Sequence, residues 1–154
     1  MRLPFAVAAA FLTLTSLVAA QPFDTPEALL EAFYAPYIGG EPFPDETVFR
    51  SAALNAMYVA DAENTPEGEL GALDFDPFID GQDYDLADFS VGSPDIAGDT
   101  ALVEVSFSNF GEPRLIAYEL TFEDGGWRIN DLEAVHPQHS YRLSEIFESA
   151  KEYW

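Results

Sequence analysis

The sequence contains no cysteine among its 154 residues. This absence excludes disulfide bonds, thiolate metal ligands and cysteine nucleophiles. It also excludes the lipid anchor of bacterial lipoproteins, which is carried on a cysteine directly after the signal peptide. Basic residues are scarce as well, with 6 Lys and Arg against 28 Asp and Glu.

The excess of acid lies entirely beyond position 20. All 28 acidic residues follow that position, whereas Arg2 precedes it, so 5 of the 6 basic residues remain and the later chain has a formal charge of −23. Such a field repels phosphate backbones and anionic lipids, which argues against nucleic-acid binding. It attracts cations or a basic protein, or it serves solubility alone. The hydrophobic content of 48% and aromatic content of 14% favour a folded core over disorder.

Long hydrophobic runs are also missing, apart from a short one at the N-terminus. Met1 and Arg2 precede an almost wholly apolar stretch, residues 5–18, and small residues lead to Ala20 and Gln21. The pattern predicts a secretory signal peptide cleaved near Ala20, because the run is shorter than the ~20 residues of a spanning helix. We therefore expect residues 1–20 to be a signal peptide. Residues 21–154 should form one acidic, soluble domain, periplasmic or secreted, and a monomer or weak dimer.

Two helices are predicted in the first part of this domain. Thr25 can cap the first, Pro26 suits its first position, and Gly39 and Gly40 end it. Its apolar residues recur at helical spacing: Leu29, Leu30, Phe33, Tyr34 and Tyr37. Asp45 can cap the second helix, whose predicted buried stripe consists of Phe49, Ala52, Ala53, Ala56, Met57 and Ala60.

The remainder of the domain has a different pattern. Residues 64–85 mix Gly, Pro and Asp with large apolar residues, which predicts an ordered and partly buried loop. Alternation of period two then predicts strands around residues 86–91, 101–108, 116–122 and 127–132, with a hairpin at residues 124–126 and a bulge at Asp131 and Leu132. Ser140 can cap a short closing helix. This order predicts an α+β fold in which a curved antiparallel sheet of about four strands packs on the N-terminal helices.

Three segments resemble one bacterial family. They are residues 29–38 (LLEAFYAPYI), 73–85 (LDFDPFIDGQDYD) and 126–132 (GWRINDL). Their order and spacing are similar to those of the domain of unknown function 3828, a family of small exported or lipid-anchored envelope proteins. The resemblance implies a nuclear-transport-factor-like, cystatin-like cone and an envelope location, and it implies no agreed activity. Because this chain has no lipid-bearing cysteine, membrane anchoring is not carried over.

The aspartate-rich loop is the most unusual feature of the sequence. Six polar side chains fall within a dozen residues: Asp74, Asp76, Asp80, Gln82, Asp83 and Asp85. Oxygen ligands of this kind can gather around calcium, but the spacing does not fit an EF-hand. The alternative, which we favour, is that these groups cap turns and satisfy loop backbone groups. His136 and His139 are too few for zinc, which needs three or four ligands. We therefore predict no metal and no cofactor.

A cone of this kind often encloses a pocket between its first helix and the sheet, where a tyrosine and two carboxylates can transfer protons. Tyr34, Tyr118, Asp83 and Asp131 are candidates of that type, although tyrosine at helical spacing is more often a core residue. The candidate binding residues are therefore Tyr34, Asp76, Gln82, Asp83, Tyr118 and Asp131, and no catalytic set is complete. The five later cations are so few that each is expected to pair with an acid; a buried Arg50 or Arg142 facing Asp83 would be structural.

Three functions are consistent with these features. The first is a non-enzymatic envelope module that recognises another macromolecule, such as a basic protein. The second is a small-molecule-binding cone, with or without isomerase or lyase-like proton transfer. The third is a calcium-stabilised structural module. The acid surplus and the incomplete catalytic set favour the first.

Overall fold

The structure is a computed structural model that describes residues 23–137 and 139–153. The predicted signal peptide lies outside these residues. Three helices and a six-stranded antiparallel sheet are present: α1 (Pro26–Gly39), α2 (Ala52–Asn64), α3 (Leu143–Ala150), β1 (Leu86–Val91), β2 (Asp95–Ala97), β3 (Thr100–Asn109), β4 (Glu112–Glu123), β5 (Gly126–Ala134) and β6 (Tyr141–Arg142). None of the described helices has the length and apolarity needed to cross a membrane.

The first helix begins and ends as predicted. The Thr25 hydroxyl accepts a hydrogen bond from the Ala28 N–H at 3.1 Å, and Pro26 takes the first turn. Gly40 adopts the left-handed conformation (φ 67°) while its N–H donates to the Pro36 carbonyl, a termination that suits glycine. The predicted apolar face is buried: Leu29, Leu30, Phe33, Tyr34 and Tyr37.

The second helix differs from its prediction in start and in buried face. Asp45 caps only a 3₁₀ turn, Glu46–Val48, and α2 begins at the cap Ser51, whose hydroxyl accepts from the Leu54 N–H. Leu54 is the buried residue of α2, whereas Ala52, Ala53 and Ala56 are exposed. Alanine favours a helix wherever it lies, so its spacing did not identify the packed side.

The sheet is ordered β1-β3-β4-β5-β6, with β2 pairing the end of β3. The prediction of α+β is confirmed, but the sheet has six strands where about four were expected. The two additional strands have only three and two residues, too short for a visible alternation. Alternate residues of the long strands are buried in one core: Ala101, Val103, Val105, Phe107, Ile116, Tyr118, Leu120, Ile129, Leu132 and Ala134.

The predicted bulge in β5 is present one residue earlier than expected. Glu119 pairs with Asp131 and Leu120 with Ile129, so Asn130 is the extra residue. The bulge restores Leu132 to the core and turns Asp131 toward the start of α3. Helix α1 lies against β1 and β5, and α2 and α3 pack on each other beside β5.

The start of α3 also differs from its prediction. Ser140 exchanges hydrogen bonds with the backbone of His136 and does not cap the helix. The residue at the cap position is Arg142, which makes no side-chain capping bond. Asp131 of β5 supplies the missing acceptor for the first turn of α3.

Candidate functional site

The two candidate tyrosines meet at the centre of the core. The Tyr34 hydroxyl donates to the Phe78 carbonyl oxygen at 2.6 Å, and the Tyr118 hydroxyl lies 2.7 Å from the Tyr34 oxygen. Because Tyr34 has one proton to give, Tyr118 is the donor of the second bond. Both side chains are fully buried, and burial raises the pKa of each phenol well above its ordinary value. Deprotonation is therefore disfavoured, which argues against either as a general base.

The space around this pair is filled by aromatic rings. The ring centroids of Phe89 and Phe107 lie 4.9 and 5.7 Å from that of Tyr34, and Phe78 packs on Phe33 at 4.6 Å. Neither Tyr34 nor Tyr118 lines any of the three main clefts found among the described residues. This filled interior disfavours a small-molecule pocket between α1 and the sheet.

Asp76 ties the aspartate-rich loop to α1. Its carboxylate accepts a 2.6 Å hydrogen bond from the Tyr37 hydroxyl and a 2.9 Å bond from the Phe78 N–H. Its backbone pairs with Gly81, closing a tight loop that inserts Phe78 and Ile79 into the core. Burial raises the pKa of the Asp76 carboxyl, and the bonds from Tyr37 and Phe78 partly oppose that rise. The prediction of an ordered, partly buried loop is confirmed.

Asp131 caps α3 from outside the helix. Its Oδ1 accepts from the N–H groups of Leu132 and Ser144 at 2.9 and 3.0 Å, and its Oδ2 accepts from the Ser144 hydroxyl at 2.7 Å. The Arg142 Nε lies 2.8 Å from the same Oδ2, and Arg142 also pairs with Glu119 and Glu133. Asp131, 5% exposed, therefore satisfies a helix N-terminus and neutralises a cation.

The hydrogen bond to Glu119 and then the charge of Asp131 raise the pKa of Arg142, which keeps its guanidinium charged. Asp131 lies on the opposite face of β5 from Leu132, the residue paired with Tyr118. Its carboxylate therefore points away from the two tyrosines, and they form no common proton-transfer group.

Gln82 and Asp83 lie on the exposed side of the loop. The Gln82 amide donates to the Asp74 carbonyl at 3.2 Å, and the Asp83 carbonyl accepts from the Asn109 amide at 3.1 Å. Of the six candidate residues, only Tyr34 and Tyr118 are hydrogen-bonded to each other. After burial, the nearby charge of Asp76 also raises the pKa of both tyrosines, whereas Gln82, Asp83 and Asp131 lie apart from them. Neither Arg50 nor Arg142 faces Asp83, since Arg50 pairs with Glu46.

The aspartates of the loop and the two histidines do not converge on a metal site. The His136 and His139 ring centroids are 4.0 Å apart, and no group of three His, Asp or Glu side chains within the described residues is placed to hold a metal ion. The carboxylate of Asp76 accepts hydrogen bonds, and that of Asp80 contacts cationic groups. The bond from the Phe78 N–H to Asp76 and that from the Gln82 amide to the Asp74 carbonyl are of the turn-capping and backbone-satisfying kind favoured from the sequence, whereas the contacts of Asp80 are ionic.

One buried ion pair was not identified from the sequence. The Asp80 side chain is 6% exposed, and its Oδ2 lies 3.0 Å from the Arg114 Nε and 3.5 Å from the His139 Nε2. The Arg114 N–H is not aligned with that oxygen, so within the described residues neither atom forms a hydrogen bond. The scarcity of cations predicted that Arg114 would be paired, but sequence separation concealed its partner. Asp80 also adopts positive φ, 50°, which is uncommon outside glycine.

A small apolar cleft adjoins this pair. Its volume is about 360 Å³, and Asp80 and His139 lie in its lining. The apolar walls come from Phe75, Tyr141 and Ile146, and the Phe75 and Tyr141 rings pack edge to face at 5.1 Å.

A larger groove separates the end of α2 from α3. Its volume is about 580 Å³, and its rim includes Leu70 and Tyr153, which are 80% and 85% exposed. Glu69 and Glu145 add negative charge to the same lining. The groove therefore combines exposed apolar side chains with an acidic rim, as interaction surfaces often do.

Comparison with known proteins returned no relative: no family model, curated protein or solved structure matches the chain. The resemblance to the domain of unknown function 3828 stays a prediction.

Proposed function

We propose that this chain is an exported bacterial envelope protein, periplasmic or secreted, whose acidic domain is a non-enzymatic module that recognises a basic protein. The proposal does not depend on catalysis, because Asp76, Asp131 and the two tyrosines are engaged in holding the fold together. Nucleic acid is an unsuitable partner for a domain of this charge.

The observation that carries the proposal is the distribution of charge. Four of the five cations of residues 21–154 contact acids, whereas the fifth, Arg128, contacts the Trp127 carbonyl. Only six acids contact these cations: Glu46, Asp80, Glu119, Asp131, Glu133 and Glu148. Of the 28 acids, 22 therefore have no ion-paired Lys or Arg among the described residues. This surface attracts a basic partner and accelerates its association at low salt.

The groove between α2 and α3 is the best-suited recognition surface. Large side chains as exposed as Leu70 and Tyr153 can enter an apolar contact with a partner. Acids at the same rim, Glu69 and Glu145, suit lysine or arginine around that contact. We also propose that the fold is a nuclear-transport-factor-like cone, which the position of α1 against β1 and β5 supports.

The test is capture on the immobilised domain, residues 21–154, from envelope and secreted extracts of its source at about 0.05 M and about 0.5 M salt. We expect a basic protein to be retained at low salt and released at high salt, because screening weakens long-range attraction. Its purified form should then bind the domain with a dissociation constant that rises with salt.

Two matched pairs of variants locate the surface. Leu70→Ser with Tyr153→Ser should weaken binding at least tenfold, whereas Phe110→Ser with Leu102→Ser, which also removes two exposed apolar side chains, should not. Glu69→Gln with Glu145→Gln should weaken it more than Glu104→Gln with Glu112→Gln, which removes the same charge elsewhere. Retention that is unchanged at high salt, or capture of no basic protein, would contradict the proposal.

A further inference from the structure

We propose that the cleft beside Asp80 is a binding site for a small amine carried on an aromatic or aliphatic body. This site adjoins the groove between α2 and α3, because Tyr141 and Ile146 line both. It does not depend on recognition of a protein. Four features of the described residues support it: a buried carboxylate, its incomplete hydrogen bonding, the apolar walls, and an exposed neighbour that can move.

The carboxylate is the polar feature of the site. A buried polar atom without a hydrogen bond is costly, and a bound donor is one of the usual reasons for its persistence. The Oδ2 of Asp80 is in this condition, although Arg114 is in ion contact with it. The positive φ of Asp80 adds a local strain of a kind that clusters at functional sites.

The walls define the remainder of the ligand. Phe75, Tyr141 and Ile146 surround a volume of about 360 Å³, which is within the range of small-molecule sites. The Tyr141 hydroxyl donates to the Pro77 carbonyl at 2.8 Å, which fixes its ring. Burial and then the nearby charge of Asp80 raise the pKa of this phenol, so its hydroxyl stays protonated beside the carboxylate. An apolar body of six to ten carbon atoms suits such walls.

The charge of the ligand follows from the surroundings. The domain attracts cations, and an ammonium group offers three donors to a carboxylate that lacks one. His139 lies 3.5 Å from Asp80 Oδ2 and is 56% exposed, so its imidazole can move outward while an ammonium takes its place. An anionic ligand would face the carboxylate and is excluded.

The probe is 2-phenylethylamine, titrated to about 10 mM into the domain and followed by the amide and side-chain NMR signals of residues around the cleft. Its alcohol, 2-phenylethanol, and its acid analogue, 3-phenylpropanoate, share the apolar body. We expect the amine to shift, with saturation, the signals of Phe75, Gly81 and His139, which line the cleft and not the groove between α2 and α3. The alcohol should bind about tenfold more weakly, because it donates a hydrogen bond to the carboxylate without the positive charge that the ammonium adds, and the acid should not bind, because its charge has the same sign as the carboxylate.

Matched variants test whether the amine binds at Asp80. Asp80→Asn tolerates the same backbone conformation and should lower amine affinity at least tenfold, while Asp83→Asn, an exposed aspartate of the same loop, should leave it unchanged. Should Asp80→Asn misfold, Ile146→Trp should abolish binding by filling the cleft. Because Ile146 also lines the groove, the control is Leu70→Ser with Tyr153→Ser, which alters the groove alone and should leave amine binding unchanged. Shifts spread over the acidic surface, equal shifts in Asp80→Asn, or no saturable shift would overturn the site.

Discussion

Asp131 and Asp80 are both buried aspartates that contact an arginine, yet their surroundings differ in kind. Asp131 accepts three hydrogen bonds in addition to its contact with Arg142, and the two from Ser144 join β5 to the first turn of α3. Asp80 contacts Arg114 and His139 without a hydrogen bond from Arg114, at the edge of an apolar cleft. The fold supplies hydrogen-bond donors to both oxygens of the Asp131 carboxylate, whereas Asp80 Oδ2 receives none within the described residues.

This difference distinguishes a carboxylate that holds the fold together from one that can still accept a hydrogen bond from a ligand. Burial and an adjacent cation are common to both sites, so neither feature identifies a binding site by itself. The number of hydrogen bonds to the carboxylate does distinguish them, because a fully satisfied group has no capacity for a ligand. By this criterion Asp131, which the sequence made a candidate binding residue, is structural. Asp80, which the sequence offered only as one oxygen ligand of the calcium alternative, is available.

The largest expected effect is the loss of the Asp131 charge. Asp131→Asn places an amide against the Arg142 Nε and removes a negative charge from the N-terminus of α3, so we expect a loss of about 2 kcal/mol in the free energy of unfolding. Asp80→Asn leaves the Arg114 guanidinium without its ion partner, but the Arg114 side chain is 18% exposed and loses no hydrogen bond, so we expect a smaller loss of about 1 kcal/mol. Urea unfolding of both variants tests the comparison, and equal losses would remove its basis.

The buried tyrosines extend the comparison to neutral groups. Tyr34→Phe leaves the Phe78 carbonyl and the Tyr118 hydroxyl without their partner, which should cost about 2 kcal/mol. Tyr118→Phe removes one bond but leaves Tyr34 donating to Phe78, so about 1 kcal/mol is expected. Urea midpoints at an unchanged denaturant slope measure both losses. If Tyr118→Phe proved the more damaging, the direction of the hydrogen-bond chain would be wrong.

Much of the fold could be predicted from local patterns. The Thr25 cap, the Gly40 termination and the period-two strands are each recorded in a few adjacent residues, and all three are confirmed. The bulge was predicted within one residue because an inserted residue disturbs the alternation locally. The alanine stripe of α2 was wrong because the apolar character of alanine does not require burial.

The candidate site was less predictable because its contacts are distant in sequence. Asp80 and Arg114 meet only because the loop Asp76–Gly81 closes over the end of β4, and no spacing rule relates positions so far apart. The cap of α3 likewise comes from Asp131 on another strand, whereas Ser140 was the nearest local candidate. Residue type indicated that these groups would be partnered, and only the tertiary fold determined the partners.

The smallest expected effect concerns Asp76, which is intermediate between the two sites, with two hydrogen bonds to its carboxylate and no arginine against it. Burial raises the pKa of this carboxyl in the folded state above its unfolded value of about 3.9. The stabilisation that comes from the Asp76 carboxyl is therefore fully present below the unfolded pKa, and it is lost as the pH rises through the raised folded pKa. Asp76→Asn carries no ionisable group, so its stability should decline less than that of the unaltered protein between about pH 4 and pH 7.

The control for this effect is Asp83→Asn, which removes the same charge from the exposed side of the same loop. It should lower the general repulsion among acids without changing the slope in that pH range as Asp76→Asn does. Urea unfolding of the three proteins at intervals across the range measures the slopes. Parallel slopes of the unfolding free energy against pH for all three proteins would mean that two hydrogen bonds suffice to offset the burial of Asp76. Asp76 would then resemble Asp131, whose hydrogen bonds satisfy its carboxylate.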